Sequence, residues 1–264
     1  MGKSILLTFA ATAALTAPLA AQRFEAATVK PCGDGADDRR TGEILDGGGS
    51  ASPNRMDLGC WTVKDLILSA YVRYANGHDH SLLALWSMPI EGGEDWINYD
   101  RFTIDAKAGG APGQEEMRGP MMQALLEGRF RLKSHRETRE VPVYELRVPE
   151  GGFSLHPSKA AAASETVLSN RMIVVDAQAT SMNRLAWLLS LFPAGLGRPV
   201  IDKTGILGLF DFQFAYSREG FAPASASQAP SVQAALQKVG LRLEPAIGPR
   251  EFLVIDSVKR LSSN

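Results

Sequence analysis

Residues 123–148 read QALLEGRFRLKSHRETREVPVYELRV, and residues 233–258 read QAALQKVGLRLEPAIGPREFLVIDSV. Both stretches begin with Gln-Ala-x-Leu, continue through a glycine and an Arg-Leu pair, and reach Arg-Glu just before an apolar run. Equivalent residues of the two stretches align with shifts of no more than one or two positions. This parallel predicts an internal duplication, in which a helix that ends at glycine is followed by two strands.

The segments before residue 123 predict further strands of the first copy. Polar and apolar residues alternate at 24–30 and 100–108, as they do in half-buried strands, and a short strand is predicted at 55–60. Within 100–108, Phe102, Ile104 and Ala106 are predicted to face inward. The closing strands are FRLKSH and VPVYELRV, which we expect to form a hairpin with HRETRE at its turn.

Two helices are predicted between these strands. Thr62 is a predicted N-cap with Asp65 three residues on, at capping-box spacing. The helix after it carries an apolar stripe at helical spacing, formed by Val63, Leu66, Ile67, Ala70 and Tyr71. The second helix is MRGPMMQALLEG, with Pro120 near its start and Gly128 at its end.

The second copy repeats this order. A strand is predicted at 171–179, and a helix capped by Ser181 follows it. Phe210, Phe212 and Phe214 alternate with polar residues in the next strand. A helix at 231–240 and the closing strands LRLEP and REFLVIDSV complete the copy.

These elements predict an α+β fold made of two tandem similar units, each a small sheet with two helices on one face. The first unit is expected at 22–156 and the second at 169–264. Between them, the small, alanine-rich stretch PSKAAAASET predicts a linker at 157–168.

The first residues are typical of a secretory signal peptide. Lys3 is basic, residues 5–15 are apolar, and small residues at Ala20 and Ala21 offer a cleavage point before Gln22. The apolar run is shorter than the ~20 residues that span a bilayer. We therefore expect residues 1–21 to be removed, leaving a periplasmic or extracellular protein without an integral membrane span.

Composition and charge are typical of a globular protein and do not favour nucleic-acid binding. Hydrophobic residues make up 45% of the chain, charged residues 22%, and the net charge is −1. These are ordinary values for a globular protein. Since no excess of positive charge attracts phosphates, nucleic-acid binding is not expected.

Cys32 and Cys60 are the only cysteines in the sequence. A cysteine pair in an exported chain predicts a disulfide, and the spacing has no CxxC form that would indicate zinc or redox chemistry. The bridge would stabilise the fold by about 3–4 kcal/mol through loop closure.

Several segments resemble a known family. FEAATVKP, IEGGEDWINYDRFTIDAKA, LLEGRFRLKSHRETREVPVYELRV, GRPVIDKTGILGLFDF and LVIDSV are similar to an exported bacterial family of uncharacterised function that is expanded in soil bacteria. A related domain also occurs fused to membrane sensor-peptidases of the beta-lactam-sensing type. The resemblance implies sensing or ligand binding, and it supplies no catalytic residues. The cysteine pair and the insertion around NGHDHSLLALW depart from the family pattern.

To a lesser extent, each half resembles the short N-terminal domain shared by secretins and TonB-dependent receptors. The similarity lies in a helix after a strand and in the helix and hairpin residues at 232–245. That domain is a periplasmic protein-contact module, so this resemblance also implies interaction rather than catalysis.

Common catalytic signatures are absent from the sequence. It contains no GxSxG, HExxH or Walker motif, and no GxGxxG after a strand, so we expect no cofactor. Gly77-His78-Asp79-His80 contains the only close histidine pair, which suits either a solvated loop or a transition-metal site. The solvated loop is the preferred interpretation, and no metal site is predicted.

The HRETRE segment allows two interpretations. Cross-strand charge pairing around a hairpin turn is the simpler one. Alternatively, His135, Arg136 and Arg139 form a small basic surface for a carboxylate-bearing ligand or partner, because guanidinium groups bind carboxylates bidentately.

Asp202-Lys203-Thr204-Gly205 is the second candidate site. Asp followed by Thr-Gly is ordinary turn chemistry, since the Asp side chain can accept hydrogen bonds from nearby backbone amides. A binding role for Asp202, Lys203 and Thr204 is the alternative. The tryptophans are expected in the core, with Trp187 on an amphipathic helix, although a carbohydrate or hydrophobic groove would also use them.

The sequence thus predicts an exported binding or interaction module whose partner is an unknown envelope protein or a small ligand. The competing hypothesis is a hydrolase of envelope polymers that uses paired carboxylates such as Asp105, Asp176 and Asp202. Such a pair would have to face each other about 5–9 Å apart. A purely structural envelope protein is a third possibility.

Overall fold

The computed structural model describes residues 23–32, 51–81, 84–85, 87–160, 162–169, 172–191, 196–217 and 230–261. The predicted signal peptide at 1–21 lies outside these residues, as do 33–50 and 218–229. None of the helices in the described ranges has the length and apolar character that a membrane crossing requires.

The first sheet has the strand order β1-β5-β3-β2 and is antiparallel. Its strands are β1 (Phe24–Pro31), β2 (Ala51–Ser52), β3 (Arg55–Thr62) and β5 (Arg101–Ala108). Helix α1 (Val63–Leu68) continues as a π turn over Ser69–Arg73 and a 3₁₀ turn over Ala75–Gly77. The predicted inward residues Phe102, Ile104 and Ala106 are all buried here, so the alternation at 100–108 is confirmed.

The second helical segment of this part is broken at the predicted proline. It consists of α2 (Gln114–Glu116), a π turn over Met117–Met121 that contains Pro120, and α3 (Met122–Arg129). Gly119 has non-helical backbone angles because proline disfavours helical geometry in the residue before it. The buried faces of α1 and α3 share a core with the first sheet.

The second sheet has the order β10-β8-β7 and is also antiparallel. Its strands are β7 (Ser164–Ser169), β8 (Met172–Thr180) and β10 (Phe210–Ser217). Helices α4 (Met182–Ser190) and α5 (Val232–Lys238) bury their apolar sides in the same core as Phe210, Phe212 and Phe214. Since β7 begins at Ser164, part of the predicted linker at 157–168 is a strand.

A third, central sheet joins these two parts. Strands β6 (Lys133–Arg147) and β11 (Arg242–Ser257) pair antiparallel, and β4 (Ile90–Gly92) and β9 (Val200–Asp202) lie parallel on their outer sides. The order is β4-β11-β6-β9, so strands that are distant in the sequence alternate across this sheet.

The two closing hairpins predicted from the sequence are therefore wrong. Each predicted hairpin is one long strand, and the two strands pair with each other instead. HRETRE contains no Gly, Pro, Asn or Asp, so it has none of the residues that favour a turn. The ends of the strands are fixed in different cores, since Leu146 is buried in the second core and Leu253 in the first.

Three prolines occur in this long pair without interrupting it. Pro142 lies opposite Ile247, Pro245 opposite Tyr144, and Pro249 opposite Glu140. All three pairs belong to the same alternate set, in which the backbone N–H points away from the partner strand. Tyr144 shows this direction, because its N–H donates outward to the Pro199 carbonyl at 2.8 Å. Proline lacks that N–H, so no hydrogen bond between β6 and β11 is lost.

The predicted helix caps at Thr62 and Ser181 and the disulfide are confirmed. The hydroxyls of Thr62 and Ser181 accept hydrogen bonds from the backbone amides three residues on, and Ser231 caps α5 in the same way. Cys32 and Cys60 are bonded, with their Cα atoms 5.8 Å apart. The α+β class is also confirmed, whereas the internal duplication and the division into units at 22–156 and 169–264 stay predictions.

Candidate functional site

The predicted basic surface lies within the first half of strand β6 rather than at a turn. Successive side chains of a strand point to opposite faces, so His135 and Arg139 share one face of the central sheet and Arg136 lies on the other. Each has a carboxylate partner: Asp256 for His135 at 2.9 Å, Glu251 for Arg136 at 2.7 Å, and Glu91 for Arg139 at 2.5 Å. The structure does not bring the three onto one surface.

Arg139 is the most heavily engaged of the three. Its guanidinium donates to Glu137 and Glu91, and these two hydrogen bonds raise the pKa of Arg139. The bond from Arg139 in turn lowers the pKa of Glu137. The guanidinium also stacks over the Phe252 ring, 4.9 Å from its centre. Arg139 therefore has a clear structural role where β6 and β11 meet.

The second predicted site forms a side-chain-stabilised turn. The Asp202 carboxylate accepts hydrogen bonds from the Thr204 amide at 2.9 Å and the Thr204 hydroxyl at 2.8 Å. The Lys203 amide donates to the Leu146 carbonyl, and the Lys203 side chain is exposed. Since Leu146 is separated from His135 by about 36 Å of extended strand, the two predicted sites lie towards opposite ends of the central sheet.

The three carboxylates of the hydrolase hypothesis are not brought together. Asp105 lies on β5, Asp176 on β8 and Asp202 on β9, so each belongs to a different sheet. Asp105 is ion-paired with Arg55 at 2.8 Å, and Asp176 accepts a hydrogen bond from Gln213. This placement provides no support for a paired-carboxylate mechanism.

The side chains of the Gly77–His80 segment form hydrogen bonds and an ion pair with residues that are close in the sequence. Asp79 pairs with Arg73 at 3.1 Å and accepts a hydrogen bond from the Ser81 amide at 2.8 Å. Nε2 of His80 lies 3.1 Å from the Ala75 carbonyl oxygen. Within the described ranges, no three His, Cys, Asp or Glu side chains are grouped as metal ligands.

A cleft of about 390 Å³ opens beside this segment. One wall is formed by described residues between positions 72 and 88, and the other walls are β6, through Arg136, and α4, through Arg184 and Trp187. The volume falls within the range of small-molecule sites in proteins. The cleft thus lies where the chain after α1, the central sheet and α4 meet.

The cleft lining is cationic and partly apolar. Arg136, Arg184 and His80 supply the ionisable groups, and no Asp or Glu is found among the described residues of the lining. The apolar surface comes from Val72, Ala75, Ala84 and Met88, and the neutral polar groups from Asn76 and Ser87. This combination suits an anion that also carries an apolar body.

Both arginines of the cleft are held in position. The Arg184 guanidinium carbon lies 3.8 Å from the centre of the Trp187 ring, which is the stacked arrangement of a cation–π pair. Arg136 is fixed by bonds to the Glu251 carboxylate and the Tyr71 carbonyl, both at 2.7 Å. Fixing a guanidinium in advance lowers the entropy cost of binding a carboxylate.

Three lining residues have a sequence-based expectation: Arg136 is a candidate binding residue, His80 belongs to the histidine pair, and Trp187 is expected in the core with a groove as the alternative. Trp187 is half-buried and lines the cleft, and nothing in the sequence pointed to Arg184. Arg184 and Trp187 are three residues apart on α4 and therefore neighbours on its surface, a spacing that signals stacking. That this pair faces Arg136 follows from tertiary structure and has no local signal.

A smaller cavity lies between Trp61 and the buried Arg118. Its volume of about 20 Å³ has room for roughly one water molecule. It is too small for an organic ligand, so the cleft is the stronger candidate.

The fold and the site define an α+β protein with an internal disulfide and a cleft whose ionisable lining residues are basic. The chain belongs to the family described as "Protein of unknown function (DUF3738)", whose model matches residues 82–258, two thirds of the chain. Arg136, Arg184 and Trp187 all lie within the matched residues. No curated protein and no solved structure matches this chain.

Proposed function

We propose that this protein is an exported binding module that takes a carboxylate-bearing ligand into the cleft beside Arg136, Arg184 and Trp187. The cleft carries the proposal because its described lining holds two positioned guanidinium groups. Arg184 is the main proposed contact for the ligand, since both terminal nitrogens of Arg136 already donate, one to Glu251 and one to the Tyr71 carbonyl. Each good guanidinium–carboxylate contact forms charge-assisted hydrogen bonds, which are about twice as strong as neutral ones.

The shape of the lining adds a second requirement for the ligand. Apolar residues cover one wall, and Trp187 offers an aromatic surface beside the charge. Burying an apolar or aromatic body there adds hydrophobic stabilisation to the charged contact. The preferred ligand is therefore an organic acid or an acidic side chain with an apolar body, rather than a small inorganic anion.

The proposal also assigns the protein a role in sensing and a location outside the cytoplasm. The resemblance to sensor-associated proteins implies ligand binding, and the N-terminal pattern and the disulfide are compatible with an oxidising compartment. Binding at the junction of the two halves would be a suitable signal, because a ligand there contacts elements from both.

Ligand-observed NMR with matched probe pairs tests this function. Each pair consists of a carboxylate and its neutral amide, such as 2-naphthoate with 2-naphthamide, and citrate serves as an anion without an apolar body. We expect saturation transfer to 2-naphthoate well above that to 2-naphthamide or citrate. Equal transfer to acid and amide, or none to either, would count against a carboxylate site.

A further inference from the structure

The imidazole of His80 is the third ionisable group of the cleft, beside the guanidiniums of Arg136 and Arg184. A guanidinium keeps its charge at every physiological pH, whereas an imidazole ordinarily gains or loses its charge between about pH 5 and pH 8. Among the described residues of the lining, His80 is the only side chain of that kind. The positive charge of the cleft should therefore depend on pH through this one residue.

The His80 ring is held at the cleft by a bond that does not depend on its charge. Its Nε2 lies 3.1 Å from the Ala75 carbonyl oxygen, and its backbone amide donates to the Arg73 carbonyl at 2.8 Å. A carbonyl oxygen only accepts, so Nε2 carries a hydrogen in both charge states of the ring. The proton gained in acid is then taken up by Nδ1, and the contact with Ala75 is kept.

The nearest carboxylate, that of Asp79, already has another cationic partner. Asp79 pairs with Arg73 at 3.1 Å. Burial raises the pKa of Asp79, but the hydrogen bonds from Arg73 and Ser81 and the charges of Arg73 and His80 outweigh burial and hold it below its usual value. Asp79 is therefore ionised from about pH 5.5 to about pH 8. Since Arg73 balances its charge, a proton on His80 adds positive charge to the cleft.

Other charged groups surround His80 from the neighbouring elements. They lie on α2 and the π turn after it, which pack against Ala75–Gly77, and on β6, β11 and α4: Glu115, Glu116, Arg118, Arg136 with its partner Glu251, and Arg184. Carboxyl and guanidinium groups ordinarily keep their charge between about pH 5.5 and pH 8. They supply a constant background against which the charge of His80 changes.

We propose that His80 is a third cation that holds the carboxylate of the ligand, so that the cleft binds its ligand more tightly in acid. This inference rests on the carboxylate site proposed above. An imidazolium adds a charge-assisted hydrogen-bond donor to the one that Arg184 supplies. Because His80 is exposed, water and salt screen its charge, and the gain in affinity is a few-fold. The protein thus holds its ligand in acidic surroundings and releases it more readily as the pH rises.

Isothermal titration with 2-naphthoate at about pH 5.5 and about pH 8 tests this role, since an ordinary carboxylate is ionised at both values. We expect the dissociation constant of the unchanged protein to be about two- to fivefold lower at the acidic pH. His80→Gln cannot gain a proton and should abolish the difference. His80→Arg is charged at both pH values, so at the higher pH it should bind more tightly than the unchanged protein.

His78→Gln is the matched control, because His78 is exposed in the same segment and is not among the described lining residues. It should keep the pH difference of the unchanged protein. Equal affinity at both pH values, or a difference of the same size in His80→Gln, would overturn the role of His80 and leave the carboxylate site in place. Absence of 2-naphthoate binding at either pH would instead contradict the carboxylate site itself, and this inference with it.

Discussion

Arg139 and Arg250 lie directly opposite each other in the β6–β11 ladder, although they are more than a hundred residues apart in the sequence. Two like charges at such positions repel each other unless other groups compensate. Glu137 and Glu91 pair with Arg139. Burial disfavours the charged form of Arg250 and lowers its pKa, and the charge of Glu91 opposes that shift. Both guanidiniums also lie over Phe252, at 4.9 and 5.7 Å from its centre. The two carboxylates and the ring therefore offset the repulsion between the arginines where β6 and β11 pair.

Phe252→Ala should lower the free energy of unfolding by about 3 kcal/mol, because it removes a ring that is 7% exposed and also leaves two guanidiniums without their stacking partner. Urea denaturation measures the change. Phe252→Leu is the control, since it keeps most of the apolar volume and should cost clearly less. Equal losses would show that the ring has no specific role.

Removing the disulfide with a Cys32→Ala/Cys60→Ala variant should cost about 3–4 kcal/mol of unfolding free energy, because the bridge closes a loop across a sequence separation of 28. Denaturation with and without reductant provides the comparison. Reductant should destabilise the unchanged protein by a similar amount and leave the variant unaffected. A reductant effect of the same size on the variant would contradict this assignment.

Gly119→Ala should destabilise the fold by about 1–3 kcal/mol or more, because a Cβ at this position would lie against the Tyr74 carbonyl oxygen. That contact fixes the chain just before Ala75 and Asn76, which line the cleft. Thermal unfolding measures the loss. Gly128→Ala serves as the control, since a Cβ at Gly128 meets no atom within 4 Å. If both variants have the same melting temperature, the contact between Gly119 and the Tyr74 carbonyl does not require glycine at this position.

Acid should weaken the wall of the cleft through Asp79. Burial raises the pKa of Asp79, but the hydrogen bonds from Arg73 and Ser81 and the charge of Arg73 outweigh burial and hold the pKa below its usual value. Because the folded state lowers this pKa, the stabilisation is present above the unfolded value near pH 4 and disappears as the pH falls through the folded one.

Asp79→Asn should therefore be less stable than the unchanged protein at neutral pH, and the difference should vanish in acid. Urea denaturation across a pH series measures it. A difference that is independent of pH would mean that the Asp79 charge does not stabilise the fold.

Helix caps and strand alternation could be predicted from the sequence, because each depends on residues close together in the chain. The caps at Thr62 and Ser181 and the alternation of Phe210, Phe212 and Phe214 each depend on residues within a few positions. The pairing of β6 with β11 could not be predicted in this way. It depends on Leu146 being buried in the second core and Leu253 in the first. These two residues are more than a hundred positions apart, so no local pattern determines the pairing.

In the candidate site, too, single residues could be predicted from the sequence, whereas their arrangement could not. The charge of Arg136 and its charged neighbours make it a candidate binding residue from the sequence alone, and it lines the cleft, whereas His135 and Arg139 form other contacts. Arg184 and Trp187 join it only because α4, β6 and described residues between positions 72 and 88 line the same cleft. A site formed by three separate elements has no continuous motif in the sequence.

Isothermal titration with 2-naphthoate tests the central claim most directly, using the unchanged protein, Arg184→Gln and Arg198→Gln. Arg198 is the matched control because its guanidinium also stacks on an aromatic ring, that of Tyr144, outside the cleft. The cleft account predicts that Arg184→Gln weakens binding about tenfold or more, while Arg198→Gln leaves it unchanged. Binding that is equal in all three proteins, or lost equally in both variants, would contradict a carboxylate site in this cleft.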